Sequence, residues 1–199
     1  MSDLDVIRKL EEELGRELEV YKGLELLMGR RSTPGYCVND QQQVIGLNLA
    51  REQLYVLPPE ITALRNLQSL NLYDNSLTAL PSEIGALQNL KSLNLWKNQL
   101  NALPPEIGTL QNLHSLNLGG NELSTLPPEI GALQKLQTLD LRINELTALP
   151  PEIAALQNLK SLNLWINQLR TLPPEILDLN LEIKPKSSTE AKGNDVKIT

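Results

Sequence analysis

The stretch LPPEIGTLQNLHSLNLGGNELST at residues 103–125 decides the fold, because the chain repeats it with few changes. Five such units of 23 residues follow one another without an insertion, and they begin at Leu57, Leu80, Leu103, Leu126 and Leu149. A partial unit, VIGLNLAREQLYV, precedes them at residues 44–56, and LPPEI recurs at residues 172–176. Self-similarity at such a period predicts a solenoid in which each unit packs only on its neighbours.

The local structure can be derived from a single period. Leu70 and Leu72 alternate with polar residues, which predicts a short strand with one buried face. Asn75 follows where the chain leaves the strand, and its amide can satisfy backbone groups of adjacent units. Pro81 ends the extended run, and the residues after it are long enough for about one helical turn. The equivalent asparagines predict a ladder along the solenoid: Asn75, Asn98, Asn121, Asn144 and Asn167.

These units resemble the LPxEIgxLxnLxxLnLxxNxL repeats of small bacterial leucine-rich-repeat proteins, and similar units occur in eukaryotic Ras-group leucine-rich-repeat proteins. The resemblance covers residues 44–176. It implies an α/β repeat fold, namely a curved leucine-rich-repeat solenoid with a parallel β-sheet on the concave side. Short helical or 3-10 turns would lie on the convex side, with a helical cap at the N-terminus. The family also implies binding to another protein, without naming the partner.

The sequence predicts three regions: an N-terminal cap at residues 1–43, the solenoid at 44–183 and a polar, disordered tail at 184–199. Apolar residues at helical spacing predict a cap helix within residues 2–28, with Ser2 as its N-cap and Gly23 or Gly29 as its end. Residues 35–38 are expected to pair with 44–49 through a turn at Asn39–Asp40 and to cover the first strand. The solenoid comprises a partial first repeat, five full repeats and a partial last repeat, whose final residues alternate like one more strand.

The opening MSDLDVIRKLEEELG and the stretch into VIGLNL resemble the segment that leads into the repeats of bacterial Roco proteins. Roco proteins carry a GTPase module after their repeats. In this chain Gly23 and Gly29 have the wrong spacing for a phosphate-binding loop, and the required lysine is missing. The resemblance therefore carries no GTPase activity to this sequence.

Charge and composition exclude several kinds of partner. The net charge is −6, and no basic cluster suits a nucleic-acid backbone or an anionic membrane surface.

The single cysteine, Cys37, cannot form an intrachain disulfide, and no apolar run approaches the ~18 residues of a membrane span. Because the acidic N-terminus lacks the apolar core of a secretory signal, we expect a cytoplasmic protein. We expect a monomer, with self-association through the ends as the alternative.

The titratable residues do not form a catalytic constellation. The single histidine, His114, lies three units beyond Cys37, and no nucleophile or metal-binding motif is present. We therefore expect no enzymatic activity, no cofactor and no metal. The glutamates of the LPxEI segments form a convex row, which we interpret as favourable for the short helical turns rather than as a cation site.

The outward-facing strand positions fall into columns that differ in their variability. Two columns are small, polar and nearly constant, which favours a structural role: Gly46, Ser69, Ser92, Ser115, Thr138 and Ser161, then Asn48, Asn71, Asn94, Asn117, Asp140 and Asn163. The third column varies completely: Ala50, Tyr73, Trp96, Gly119, Arg142 and Trp165. The neighbouring residues vary as well: Arg51, Asp74, Lys97, Gly120, Ile143 and Ile166.

Exposed Trp, Tyr and Arg dominate the energetics of protein interfaces. We therefore predict a partner-binding set in the variable columns: Tyr73, Trp96, Lys97, Arg142, Ile143, Trp165 and Ile166. We expect the tryptophans to be solvent-exposed, and Gly119–Gly120 to leave a dip between Trp96 and Arg142 for a partner's anchor. The alternative is that these Trp, Tyr and Arg side chains shield neighbouring strands or stack on one another in the free protein.

The sequence thus predicts a non-enzymatic protein–protein interaction module that binds its partner on the concave face. One alternative is a regulatory leucine-rich-repeat domain of a Roco-like GTPase or kinase system, present without its catalytic domain. A second alternative is glycan binding through the exposed concave aromatics.

Overall fold

The computed structural model describes residues 2–24, 33–174, 176 and 182–184. Within these residues, the helix α1 (Asp3–Leu14) precedes nine strands that form one open sheet in chain order. The strands are β1 (Glu19–Val20), β2 (Gly35–Val38), β3 (Val44–Asn48), β4 (Ser69–Asn71), β5 (Ser92–Asn94), β6 (Ser115–Asn117), β7 (Thr138–Asp140), β8 (Ser161–Asn163) and β9 (Glu182–Lys184).

Strands β3 to β9 are parallel and pair in register at equivalent positions of successive units, as Leu70 does with Leu93. The hairpin expected at the start of the solenoid is confirmed, because β2 pairs antiparallel with β3 through a turn at Asn39. Strand β1 pairs parallel with β2 and was not predicted. Strand β9 confirms a last strand after the repeats.

Short 3-10 helices lie on the side opposite the sheet, as expected. Each of the five begins directly after a proline, and four of them also have proline as their first residue, whose fixed φ suits that position. The five span Pro59–Ala63, Ser82–Ala86, Pro105–Thr109, Pro128–Ala132 and Pro151–Ala155. Gly108 permits close stacking of these turns, since a Cβ there would lie 2.8 Å from the Cβ of Glu129 in the next unit.

Leucine and isoleucine side chains fill the space between the sheet and the turns, and the predicted asparagine ladder closes the exit of each strand. Asn121 is representative: its Nδ2 donates to the carbonyl oxygens of Leu95, at 3.0 Å, and Leu118, at 2.9 Å. Its Oδ1 accepts from the backbone N–H of Leu100 at 3.1 Å. One buried side chain thereby satisfies backbone groups in two successive units.

The cap helix ends at Gly15, so the expected end at Gly23 or Gly29 is wrong for Gly23, while Gly29 lies outside the described residues. Gly15 adopts a left-handed φ of 66°, and its N–H donates to carbonyls of the last turn. Glycine reaches this conformation without steric penalty, which overrides the apolar spacing that continues to Leu18. The Ser2 N-cap is confirmed, with a reciprocal hydrogen-bond pair to Asp5.

Two polar contacts fasten the cap to the first repeat. The backbone N–H of Val44 donates to Oδ2 of Asp3 at 2.8 Å, and Arg16 forms an ion pair with Glu52 at 3.1 Å. Val6, Ile7 and Leu10 of α1 are buried against the repeat core. The boundaries at residues 43 and 183 stay predictions, and the tail from residue 185 onward lies outside the described residues.

Candidate functional site

We call the outward-facing side of β3–β8, together with the residues two and three positions after each residue of the asparagine column, the sheet face. Its floor consists of the two small polar columns. The asparagines of the floor are hydrogen-bonded to one another, with Nδ2 of Asn71 donating to Oδ1 of Asn48 and Nδ2 of Asn94 donating to Oδ1 of Asn71, each at 2.9 Å. Oδ1 of Asn94 also accepts from the backbone N–H of Trp96 at 3.1 Å. The floor therefore fixes the backbone from which the variable side chains project.

The floor contains an open depression of about 240 Å³ towards the C-terminal strands. Hydroxyl, amide and carboxylate groups predominate in its lining, which comprises Ser115, Leu116, Asn117, Thr138, Leu139, Asp140, Ser161 and Asn163. These columns were expected to have a structural role, and the depression was not predicted from the sequence. Its place could not be inferred from the repeat, because equivalent positions in other units carry the same residue types.

The expected dip at Gly119 is filled by the ring of Trp96. A Cβ on Gly119 would collide with Cζ3 and Cε3 of that ring and would lie 3.2 Å from Cγ of Arg142. Beyond the glycine, the Arg142 guanidinium lies over the indole, with Cζ 3.8 Å from the ring centroid. Arg142 Nε also lies 3.1 Å from Oδ2 of Asp140, an ion pair without hydrogen-bond geometry. The expectation of a pocket between Trp96 and Arg142 is therefore wrong.

The tryptophans are less exposed than predicted. Trp96 is half-buried because it lies flat against Gly119 and beneath Arg142, and Trp165 is half-buried as well. The stacking alternative thus describes Trp96 in the free protein. The side chain that covers the ring is Arg142, whose guanidinium cation is attracted to the negative face of the indole.

Tyr73 lies within a charged cluster at the N-terminal part of the sheet face. Arg51 and Lys97 place their cationic groups 5.3 and 5.9 Å from the ring centroid. Asp74 accepts from Arg51 at 3.4 Å and pairs with Lys97 at 3.6 Å. Side-chain hydrogen bonding with Tyr73 and, less strongly, with Asp74 raises the pKa of Arg51. The tyrosine is therefore held between two cations that share one carboxylate.

The column beside the aromatic residues has a left-handed backbone in every unit, which was not predicted from the sequence. φ lies between 54° and 65° at the six equivalent positions, which are Arg51, Asp74, Lys97, Gly120, Ile143 and Ile166. Gly120 was the available signal, because glycine favours this conformation. The side chains of Ile143 and Ile166 are 40% and 49% exposed, and their strands are adjacent.

The structure separates the two residues that a nucleophilic site would need. Cys37 lies in β2 and His114 directly before β6, so about four strand spacings, or roughly 19 Å, separate them. Cys37 is fully buried, and that burial raises the pKa of its thiol. Within the described residues no group of His, Cys, Asp and Glu side chains could hold a metal ion, and no helix is long and apolar enough to cross a membrane.

Two family models of leucine-rich repeats match the chain. Leucine rich repeat matches residues 88–132, and Leucine Rich repeats (2 copies) matches residues 65–107. No curated protein matches. The chain contains leucine-rich repeats, and its fold is a leucine-rich-repeat solenoid.

Solved structures resemble this one closely enough to support the same assignment. A leucine-rich-repeat protein of Leptospira interrogans is 33% identical, with a TM-score of 0.53, over 83% of this chain and 58% of that one. The plant peptide hormone receptor RGFR1, in complex with RGF2, is 34% identical with a TM-score of 0.58, over 66% of this chain and 22% of the receptor. A plant ice-binding protein is 27% identical with a TM-score of 0.64, over 75% of this chain and 52% of its own length. This chain therefore spans little more than half of the Leptospira protein.

Proposed function

We propose that this protein is a non-enzymatic interaction module that binds a partner protein on its sheet face. The observation that carries the proposal is the division of that face into two parts. A constant polar floor lies beside two columns that differ from unit to unit and hold aromatic, cationic and exposed aliphatic side chains. A change of chemical class from unit to unit, among aromatic, cationic, aliphatic and glycine residues, beside a constant floor is what selection for a particular partner would produce.

The geometry of the variable columns favours protein binding. The Trp96 indole and the Tyr73 ring are already held by cations in the free protein. Little side-chain entropy is therefore lost when a partner packs on them, which is the advantage of a preorganised surface. Tyr, Trp and Arg are also the residue types that contribute most per residue to interfaces.

The similarity to the plant peptide hormone receptor supports the proposal, because that receptor is in complex with RGF2. The glycan alternative has less support. Sugar-binding aromatics act together with carboxylates that accept hydroxyl hydrogen bonds, but here Asp74 pairs with Arg51 and Lys97, and Asp140 pairs with Arg142. No observation on the sheet face favours the regulatory-domain alternative over a binding module that acts by itself.

Affinity purification from a lysate of the source organism would test the proposal. A protein captured by the wild type is identified by mass spectrometry, purified, and titrated against variants by calorimetry. We expect Trp96→Ala and Trp165→Ala each to weaken binding by about 1–3 kcal/mol. The matched controls Glu106→Ala and Glu129→Ala, on the 3-10 turns, should leave binding unchanged.

Two outcomes would contradict the proposal. Loss of binding in the glutamate variants, with retention in the tryptophan variants, would place the interface on the turns. Unfolding of both tryptophan variants at room temperature would assign the rings a purely structural role.

A further inference from the structure

We propose that the part of the sheet face formed by β6–β8 binds a short extended segment of a partner protein. An aliphatic side chain of that segment packs on Ile143 and Ile166, and an acidic residue about six positions away pairs with Lys160. This inference rests on the proposed function and names the chemistry of the partner.

The first support is backbone conformation. Ile143 and Ile166 both have a φ of 54°, a left-handed conformation in which a side chain branched at Cβ crowds the backbone. The equivalent positions of the other units carry residues without that branch, which are Arg51, Asp74, Lys97 and Gly120. Strained positions persist in proteins mainly where function retains them. The two isoleucines thus occupy positions where almost any unbranched residue would stabilise the fold better.

The second support is exposure. Among the described residues, five large hydrophobic side chains are exposed, and of these only Ile143 and Ile166 lie on the sheet face. The two strands that carry them are adjacent, and the backbone N–H of Ile143 donates to the carbonyl oxygen of Trp165 at 2.7 Å. The isoleucines and the half-buried Trp165 therefore form one apolar patch at the exit of the strands.

The third support is the charge across the strands. At the edge where β8 begins, Lys160 is exposed, whereas at the exit edge Glu122 and Glu145 follow the variable columns and are exposed. Lys160 at the basic edge and Ile166 in the apolar patch lie six positions apart in the chain, about 20 Å at the rise of a strand. Two residues six positions apart in an extended segment span the same distance. Its acidic end is directed to Lys160, because Glu145 repels a carboxylate at the apolar end.

The fourth support is the polar depression that lies between these two edges. It offers the hydroxyls of Ser115, Thr138 and Ser161 and the amide of Asn163. An extended segment that crosses it has main-chain N–H and C=O groups that need such partners once they leave water. The chain's own residues 184–199 carry four lysines against two acidic residues, so their charge does not suit Lys160.

Fluorescence anisotropy with synthetic peptides would test the inference on the full chain. Labelled ten-residue peptides of serine and glycine carry a Glu and a Leu six positions apart, in both sequence orders. Matched peptides replace the Leu with Ala or the Glu with Lys. Of the two sequence orders, we expect the tighter-binding Glu–Leu peptide to bind at least about fivefold more tightly than its matched Glu–Ala and Lys–Leu peptides. Equal binding by the Lys–Leu or Glu–Ala peptides, or no binding by any peptide, would overturn the inference.

The variant Ile143→Asn/Ile166→Asn separates binding from stability, because asparagine tolerates a left-handed φ. We expect its melting temperature to stay the same or rise while its preference for Leu over Ala disappears. The matched control is Tyr55→Asn/Val56→Asn, which removes two exposed apolar side chains, 69% and 70% exposed, away from the sheet face. This control should retain the preference for Leu. A lower melting temperature of the isoleucine variant would show that the pair stabilises the fold, and would overturn the inference.

Lys160→Glu should reverse the preference from the Glu–Leu to the Lys–Leu peptide, and Lys135→Glu, at another exposed lysine, should not. An unchanged preference in Lys160→Glu would overturn the assignment of the acidic end.

Binding of the same variants to the purified partner protein distinguishes a failure of this inference from a failure of the proposed function. If the isoleucine variant binds the partner as the wild type does, while the tryptophan variants lose it, only the inference fails. Concentration-dependent dimerisation that the isoleucine variant abolishes would identify a second copy as the occupant instead.

Discussion

The guanidinium of Arg142 lies 3.8 Å from the centroid of the Trp96 ring, although the two residues belong to units separated by a complete repeat. The indole reaches across the unit between them because Gly119 has no side chain there. Three units are thereby joined on the surface of the sheet as well as through the leucine core. The contact packs two side chains of the variable column, Trp96 and Arg142, against each other over Gly119.

Gly119→Ala should disrupt this contact. The new methyl group would collide with the Trp96 ring and approach Arg142, and overpacking of this kind costs about 1–3 kcal/mol. We expect a lower melting temperature together with a changed near-ultraviolet circular dichroism signal from tryptophan. Gly23→Ala is the control, because a Cβ there meets no atom within 4 Å. An unchanged tryptophan signal in Gly119→Ala would show that the ring does not lie over the glycine.

Asn121→Ala should destabilise the solenoid strongly. It removes the acceptor for the Leu100 N–H and the donor for two buried carbonyl oxygens. Buried backbone groups left without partners cost about 1–3 kcal/mol each, so we expect a loss of at least about 2 kcal/mol in urea unfolding. Asn89→Ala, an exposed residue with one hydrogen bond to the Arg65 carbonyl, should lose less than about 1 kcal/mol. Similar losses in both variants would contradict the ladder.

Deletion of residues 1–43 should cause aggregation or a large loss of stability. It removes the buried side chains of α1 and strand β2, and it exposes the edge of β3 and the core of the first repeat. Light scattering and thermal melting would measure the effect. Arg8→Ala, which removes only the exposed ion pair with Asp5, should change stability by less than about 1 kcal/mol. A truncated protein that stays monomeric with unchanged melting would disprove the capping role.

Cys37 should resist alkylation in the native protein. Its side chain is fully buried, and burial raises the pKa of the thiol, so the reactive thiolate is disfavoured. A thiol with a raised folded-state pKa favours folding below its unfolded pKa and loses that contribution as the pH rises through the folded value. We expect iodoacetamide to label the native chain at pH 8 far more slowly than the chain in urea. Equal labelling rates in the native and unfolded chains would contradict the burial of Cys37. In a separate experiment, Cys37→Ser should leave partner binding intact.

The repeat architecture was predictable because it depends on short-range patterns that recur five times. Leu70, Asn75 and Pro81 each have a role that follows from spacing, and their equivalents carry the same role. The end of α1 was within reach of sequence reasoning, because Gly15 is a strong helix terminator, although the apolar spacing that continues to Leu18 favours a longer helix. Strand β1 has only two residues and no periodic signal.

The candidate site was predictable as a surface but not in its packing. Variability located the third column, yet the conformation of Trp96 depends on a long side chain that crosses a unit and meets Arg142. In the sequence alone, Gly119 indicates an empty space, whereas the structure fills it with an indole. The left-handed column was within reach of sequence reasoning, because Gly120 marks the equivalent position of Ile143 and Ile166.

The most direct test of partner binding on the sheet face introduces a bulky side chain on its floor. Thr138 is exposed and lines the depression, so Thr138→Arg projects a long cation into the proposed interface without touching the core. Glu129→Arg makes a comparable change on an exposed residue of the 3-10 turns. Calorimetric titration with the purified partner should show at least about tenfold weaker binding for Thr138→Arg, about 1.4 kcal/mol, and wild-type binding for Glu129→Arg. Wild-type binding by a folded Thr138→Arg variant, with loss in Glu129→Arg, would contradict the account.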